Sequence, residues 1–289
     1  MTTMMPLGMA QRIRYYLRYF NLHKSWPNLT QPRKFSEKIF HRMMNPHPLF
    51  PQLADKVTAR DYVKARVGAE FLVPVLLVTK DLTQAQFDAL PDRFVMKSNH
   101  AAGQVKIVTD KSAVTFAELQ EISRKWLAKR FYKRHGERQY EAIVPQILFE
   151  ELLGDGKTRI DDYKLHTFIG ADGKLSYAFF QHIAGRGVDP QVALLDANWQ
   201  PLPFQRKGAK LGHPAPVDPV FLQKMVAAAE TLCAPFGYMR VDFYVHDGHV
   251  YFGEMTLTPG AGKMKFTEDH VDAMLGDYWR WPEPTGDIR

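Results

Sequence analysis

"MRVDFYVHDGHVYFGEMTLTPGAGK", residues 239–263, sets Asp242 and Glu254 on two β-rich runs joined by a short turn, with a Pro-Gly-x-Gly loop directly after them. Strand side chains alternate between faces, so the register of this hairpin decides whether the carboxylates can cooperate. A two-residue turn at Asp247-Gly248 makes His246 face His249 and sends Asp242 and Glu254 to opposite faces. A three-residue loop, His246 to Gly248 with the glycine left-handed, shifts the pairing by one. Arg240, Asp242, Tyr244, Val250, Phe252 and Glu254 then share a face, with Arg240 across from Glu254 and Asp242 diagonal to it. The other face keeps Val241, Phe243, Val245 and Tyr251 for a core, so the apolar pattern favours the three-residue loop. Such a carboxylate pair suits Mg²⁺, which takes one or two protein carboxylates and completes its shell with phosphate oxygens and water.

The rest of the chain is compatible with a soluble enzyme. Its composition, 45% hydrophobic and 24% charged over 289 residues, is that of a globular protein with one large or two ordinary domains. No apolar run approaches the ~20 residues of a membrane span, and the first residues lack a signal-peptide pattern, so a cytoplasmic location is expected. The single cysteine, Cys233, falls in a helical pattern and is expected in the core, as suits a reducing compartment.

The net charge of +7 is concentrated. Residues 11–38 hold seven basic side chains and one acid, and Ile13, Tyr16, Leu17 and Phe20 recur at helical spacing. Such a helix either packs this stripe on the body or rests on an anionic membrane surface. No nucleic-acid motif accompanies it, and no nucleic-acid partner is expected.

Helices are expected over 55–68, stopped by Gly68, and over 83–90, 116–134 and 219–233. Strands are expected over 70–79, 93–98, 143–149, 163–169 and 175–183, with a Gly/Pro/Lys-rich loop at 201–219. This interleaving argues for α+β. In "RFVMKSNHAAGQVKIV", residues 93–108, Lys97 ends an apolar strand and a small-residue loop from Ser98 to Gly103 follows. A loop of that kind lets backbone N–H groups approach phosphate oxygens. It matches no nucleotide-binding fingerprint, and a surface hairpin looks similar. "IVPQILFEELLG", residues 143–154, runs into consecutive acids, and "RIDDYKLHTFIG", residues 159–170, sets Asp162 and Lys164 on one strand face.

In order, these pieces resemble the ATP-grasp superfamily over about Asp55 to Tyr278, most specifically at "RVDFYVHDGHVYFGEMTLTPG". The segments "FSEKI" (35–39), "DK" (55–56), "FVMKSNHAAG", "DYKLHTFIG", "LLDANWQPLPF" (194–204) and "GEMTLTPGAG" look like its TupA-like branch, named for teichuronopeptide biosynthesis and associated with bacterial cell-surface polysaccharide loci. One departure is Thr256, which stands where many ATP-grasp enzymes carry Asn.

The resemblance implies two α+β subdomains clasping ATP: residues 55–149 with the phosphate flap and 150–289 with the metal site, after an N-terminal helical segment, 1–54. It implies that Lys97 binds the α/β-phosphates beneath a Ser98–Gly103 flap. Glu150, Glu151, Leu152 and Leu153 would line the adenine hinge, with Phe252 packing on the base, while Asp162 and Lys164 reach ribose or phosphate. Arg240 would face the γ-phosphate or acyl phosphate, with Lys97 and Lys164 as further catalytic cations. Asp242, Glu254 and Thr256 would hold Mg²⁺, or Mn²⁺ in its place.

For the acceptor, Arg186, Arg206, Lys207, Lys210 and Lys263 are candidate anion contacts, though loop 201–219 reads equally as a solvated turn. Trp199 reads as a packed anchor before a sugar platform. The implied activity is an ATP-dependent carboxylate–amine ligase joining an amino acid or amine to a uronic acid or similar carboxylated polysaccharide precursor. The same ATP site would serve a kinase acting on a hydroxyl, and a basic polymer-binding protein with structural carboxylates is the non-enzymatic alternative.

Overall fold

The computed structural model describes residues 6–130, 132, 136–156, 160–184 and 189–283. Its helices are α1 (Met9–His23), α2 (Phe35–Met44), α3 (Phe50–Ala54), α4 (Ala59–Val67), α5 (Gln84–Ala89), α6 (Phe116–Leu127), α7 (Pro219–Cys233) and α8 (Val271–Tyr278). The strands are β1 (Val75–Thr79), β2 (Phe94–Ser98), β3 (Val105–Val108), β4 (Ile147–Glu151), β5 (Asp162–Ile169), β6 (Leu175–Ala184), β7 (Gln191–Leu195), β8 (Lys210–Leu211), β9 (Tyr238–His246) and β10 (His249–Thr256). They form a four-stranded sheet in the order β1-β4-β2-β3 and a six-stranded sheet in the order β10-β9-β5-β6-β7-β8. The class is α+β, as the interleaved pattern requires.

Local chemistry accounts for most boundaries. Thr83 and Thr115 cap α5 and α6 by accepting from backbone N–H groups three residues on. Gly68 ends α4 at φ 107°, and residues 69–71 form a helical turn where a strand was expected to begin. The two short strands β7 and β8, absent from the expected set, occupy the far edge of the large sheet.

The large sheet buries both faces. Leu165, Val241, Phe243, Val250 and Phe252 pack with α3, α4 and α7 on one side. On the other, Phe168, Phe179, Leu194 and Tyr238 pack with α1, α2 and α8. The small sheet keeps its own core of Phe94, Met96, Val108, Leu119, Ile147 and Phe149.

The helix over residues 9–23 docks through a different stripe from the expected one. Tyr15 and Tyr19 are buried, whereas Ile13 and Leu17 are about half exposed. A neighbouring aromatic pair, at a position offset by one residue, wins because Tyr19 also bonds Ser36 and Tyr15 bonds the Gly136 carbonyl.

The hairpin also departs from expectation. Asp247 and Gly248, at φ 47° and 73°, make a two-residue turn, and His246 faces His249. The register then shifts at Gly253, so Glu254 lies directly across from Asp242 and Thr256 across from Arg240. This bulge returns the carboxylates to one face. Between the turn and the bulge the two-residue register reverses two neighbours: Phe252 pairs with Phe243 in the core, while Tyr251 pairs with Tyr244. A Cβ on residue 253 would stand 3.1 Å from the Asp242 carbonyl and 2.9 Å from the Tyr244 ring, so glycine lets the bulge close.

Candidate active site

β5, β9 and β10 lie side by side, and their shared face carries a charged cluster. Lys164 pairs with Asp242 across β5 and β9. Arg240 donates from Nε to Asp242 Oδ1 at 2.6 Å, and from Nη2 to Asp242 Oδ2 at 2.8 Å, Glu254 Oε1 at 3.1 Å and Thr256 Oγ1 at 2.8 Å. Lys164 bonds Asp242 and lies 2.8 Å from Asp162 Oδ2. From the connection before α4, Lys56 Nζ reaches within 3.6 Å of Glu254 Oε2 and donates to the Ala101 carbonyl at 3.0 Å. The expected set did not assign Lys56 a role, and only its place beside a buried Asp in "DK" hinted at one. Three cations thus face three carboxylates.

Burial pushes the Asp242 carboxyl up, against the pull of Arg240 and Lys164. Glu254 moves the other way: its burial is outweighed by Lys56, Arg240 and Lys164, and its carboxyl is brought down to about 2. Burial works against the Arg240 charge, but Asp242 and Glu254 prevail and hold the guanidinium more firmly protonated than usual. Beneath it, His166 is held well below the ordinary imidazole range by burial and then by Arg240, with Lys164 and Arg206 adding. His166 bonds Tyr238 and Gln181 and stacks on Phe179 at 4.4 Å.

A divalent ion is compatible with this donor set. Among the described residues no group of three or more His, Cys, Asp and Glu forms a metal cage. Two carboxylates directly across adjacent strands, with the Thr256 hydroxyl 3.2 Å from one of them, match the partial shell that Mg²⁺ takes beside phosphate oxygens.

The small sheet presents a second cluster. Lys97 Nζ donates to Glu150 Oε2 at 2.5 Å, and Arg60 Nη1 to Glu150 Oε1 at 3.1 Å. The acid on the adjacent strand β4 thus neutralises the lysine that the resemblance assigns to the phosphates. Val105 and Ile107, each 47% exposed, pair with Lys97 and Val95 and leave an aliphatic wall on the Lys97 face. Of the expected flap, Ser98, Asn99, His100 and Ala101 are buried. Asn99 is tied to Asp55 and to the Val144 carbonyl, so only Ala102 and Gly103 stand free of the body. In the hinge, Glu151 spends its N–H on the Pro74 carbonyl, Leu152 and Leu153 are half-buried, and Gly154 N–H donates to His246 on β9.

The acceptor candidates are scattered. Arg206 and Lys207 are exposed but lie along Lys265 and Phe266, after the Pro-Gly loop. Lys263 is exposed in the same region, whereas Lys210 sits on the edge strand β8 and pairs with Asp189. Trp199 is buried, donates to the Ala215 carbonyl and packs on Tyr163 and Phe180. Phe252 belongs to the core and does not reach the charged face. Arg186 lies outside the described residues.

The Pro-Gly loop is strained. Gly260, Ala261 and Gly262 are all left-handed, at φ 57°, 51° and 75°. Arg18 donates to the Ala261 carbonyl at 3.1 Å, and His23 bonds the Gly262 carbonyl at 2.9 Å.

A family model described as TupA-like ATPgrasp matches residues 37–280. No curated protein matches the chain. Among solved structures, D-alanine–D-alanine ligase from Bacillus anthracis complexed with ATP is similar at 18% identity and a TM-score of 0.40, covering 74% of this chain and 57% of that one. The Helicobacter pylori D-alanine–D-alanine ligase is 14% identical with a TM-score of 0.44, over 79% of this chain and 61% of that one. The ATP-grasp ligase PsnB, complexed with a phosphomimetic variant of its minimal precursor, Mg and ADP, is 13% identical with a TM-score of 0.44, over 93% and 72%. The chain therefore spans 57% of the length of the first of these relatives.

Proposed function

The chain belongs to the TupA-like ATP-grasp family, and on that premise we propose that it is a Mg·ATP-dependent carboxylate–amine ligase acting on a cell-surface polysaccharide or its precursor. The observation that carries the proposal is Arg240 bonded at once to Asp242, Glu254 and Thr256, with Lys164 and Lys56 converging on the same two acids. ATP would lie between the sheets. Lys97 and Lys56 would take phosphate oxygens under Ala102 and Gly103, the Glu150–Leu153 hinge would meet adenine, and Val105 and Ile107 would cover the base in place of Phe252. Residues 55–149 and 150–289 would act as the two clasping subdomains behind the helical segment 1–54.

Mg²⁺, or Mn²⁺, held by Asp242 and Glu254 with Thr256 nearby, would neutralise phosphate charge. The remaining work falls to this chain's own cations. A carboxylate oxygen of the acceptor attacks the γ-phosphorus, the bond to the bridging oxygen of ADP breaks, and an acyl phosphate forms. Arg240 and Lys164 stabilise the charge that builds on the transferring oxygens. An amine nitrogen then attacks the acyl carbon and phosphate leaves; of the two protons a primary ammonium sheds, one departs with phosphate and one passes to solvent. Arg206, Lys207 and Lys263 would suit a carboxylated sugar such as a uronic acid.

With the true pair of substrates, ADP and inorganic phosphate should appear together, and only when both carboxylate and amine are present. A phosphorylated product formed without an amine would make the protein a kinase instead.

We assign it to the cytoplasm, at the inner membrane face. Among the described residues no helix is long and apolar enough to cross a membrane. Met9, Ile13, Leu17 and Trp26 are exposed on the basic N-terminal segment, which suits contact with anionic headgroups. Co-sedimentation with anionic but not zwitterionic vesicles is expected, and binding to neither, or equally to both, would end that assignment.

A further inference from the structure

Beside the charged floor lies a second polar cluster, of Glu137, Gln139 and Thr258. Glu137 is 7% exposed, and its Oε1 accepts from the Thr258 hydroxyl at 2.6 Å. That hydroxyl in turn accepts from Gln139 Nε2 at 2.6 Å. Gln139 is 1% exposed, and its Oε1 has no hydrogen-bond partner. No Lys or Arg of the described residues comes within ion-pair distance of Glu137. A buried amide oxygen left unpaired costs about 1–3 kcal/mol, and a nearly buried carboxylate without a cation is also costly, so among the described residues the two together mark a deficit of N–H donors.

The cluster is held in place rather than collapsed. Tyr15 donates to the Gly136 carbonyl and Arg138 to the Met44 carbonyl, which pins the turn at residues 136–140 on α1 and α2. Thr258 opens the strained Pro-Gly loop, itself held by Arg18 and His23. Thr258, bonded to Glu137, lies two residues beyond Thr256, the partner of Arg240 across the hairpin, so the two clusters adjoin along β10 and the residues after it. Burial keeps the Tyr140 hydroxyl protonated well above its usual range, with Glu137 and Glu254 adding to it. Burial likewise raises the Glu137 carboxyl, with Glu254 adding to it and Arg18 and Lys263 opposing.

We propose that Glu137 and Gln139 form the subsite that receives the nitrogen of the amine substrate, a primary ammonium or amine group, next to the carbonyl activated at Arg240. An ammonium supplies a donor for the Gln139 oxygen and a charge for the Glu137 carboxylate. A carboxylate acceptor would be repelled there, so the two substrates are kept apart. The assignment rests on the ligase reading and is tested so that the two fail separately.

Mg·ADP binding is first measured by calorimetry. Its absence would overturn the ligase reading and this subsite with it. With Mg·ADP saturating, methylammonium chloride is then titrated against thermal stability, with tetramethylammonium chloride and potassium chloride at the same ionic strength as controls. Wild type should gain about 2 °C or more with methylammonium alone. Glu137→Gln and Gln139→Leu should weaken that response about tenfold while keeping Mg·ADP affinity within twofold, and the ligand-free Tm of Gln139→Leu should change by less than about 2 °C. Equal responses to tetramethylammonium or potassium, or undiminished responses in both variants, would overturn the amine assignment. If either variant fails to fold, the comparison of cations on wild type still decides.

Discussion

Replacing Lys164 by Met keeps the length of the side chain and removes its charge from between Asp162 and Asp242. The lysine side chain is 4% exposed, and those of its two partners 11% and 3%. Breaking a buried ion pair from one side costs about 3–5 kcal/mol, because the partner charge stays buried. Asp242 retains two bonds from Arg240, which places the expected loss near the lower end, about 3 kcal/mol, or roughly 6–12 °C in Tm. The cluster then carries three carboxylates against two cations, so MgCl₂ should raise the Tm of Lys164→Met more than that of wild type. Thermal unfolding of wild type, Lys164→Met, Asp242→Asn and the double variant should show the single losses failing to add by about 1 kcal/mol or more. A fall in Tm below about 3 °C, or strict additivity, would refute the claim that these charges act as one neutralised group.

Gly253→Val should cost about 1–3 kcal/mol and lower nucleotide-dependent turnover more than hydrophobic swaps elsewhere on β10, since the added carbon meets the Asp242 carbonyl and Tyr244; an active, equally stable variant would show that the bulge tolerates a side chain. His166 is neutral in the fold and free to protonate when unfolded, so its contribution is complete above about pH 6.5 and is lost as pH falls from there, by up to about 1.4 kcal/mol per unit. Urea unfolding at pH 7.5, 6.5 and 5.5 should show that slope in wild type and a shallower one in His166→Gln, and parallel slopes would rule the histidine out.

The α+β class and the convergence of Arg240, Asp242 and Glu254 were legible from alternation and charge. The register was not. The Asp-Gly turn obeyed local turn chemistry, which moved Phe252 to the core face, and a bulge at Gly253, invisible to a count of alternating residues, then restored the phase for Glu254. Lys56 and Glu150 show the other limit. Their partners, Glu254 and Lys97, lie far along the chain, and no local pattern announces which lysine will meet which acid. The α1 stripe failed because two faces of that helix are apolar, and only tertiary hydrogen bonds at Tyr15 and Tyr19 choose between them.

That helix and α2 tie the order of synthesis to the completion of the fold. Arg18 and His23 bond carbonyls of the Pro-Gly loop, Ser36 bonds Asp272, Lys38 bonds the Gly276 and Trp279 carbonyls, and Arg42 pairs with Glu283. Each of these partners leaves the ribosome about 240 residues later, roughly 12–48 s at 5–20 residues per second. During that interval a basic, aromatic segment waits without these contacts, holding only local ones such as Tyr19 with Ser36 and Phe40, which makes it the stretch where slowed translation would be felt first.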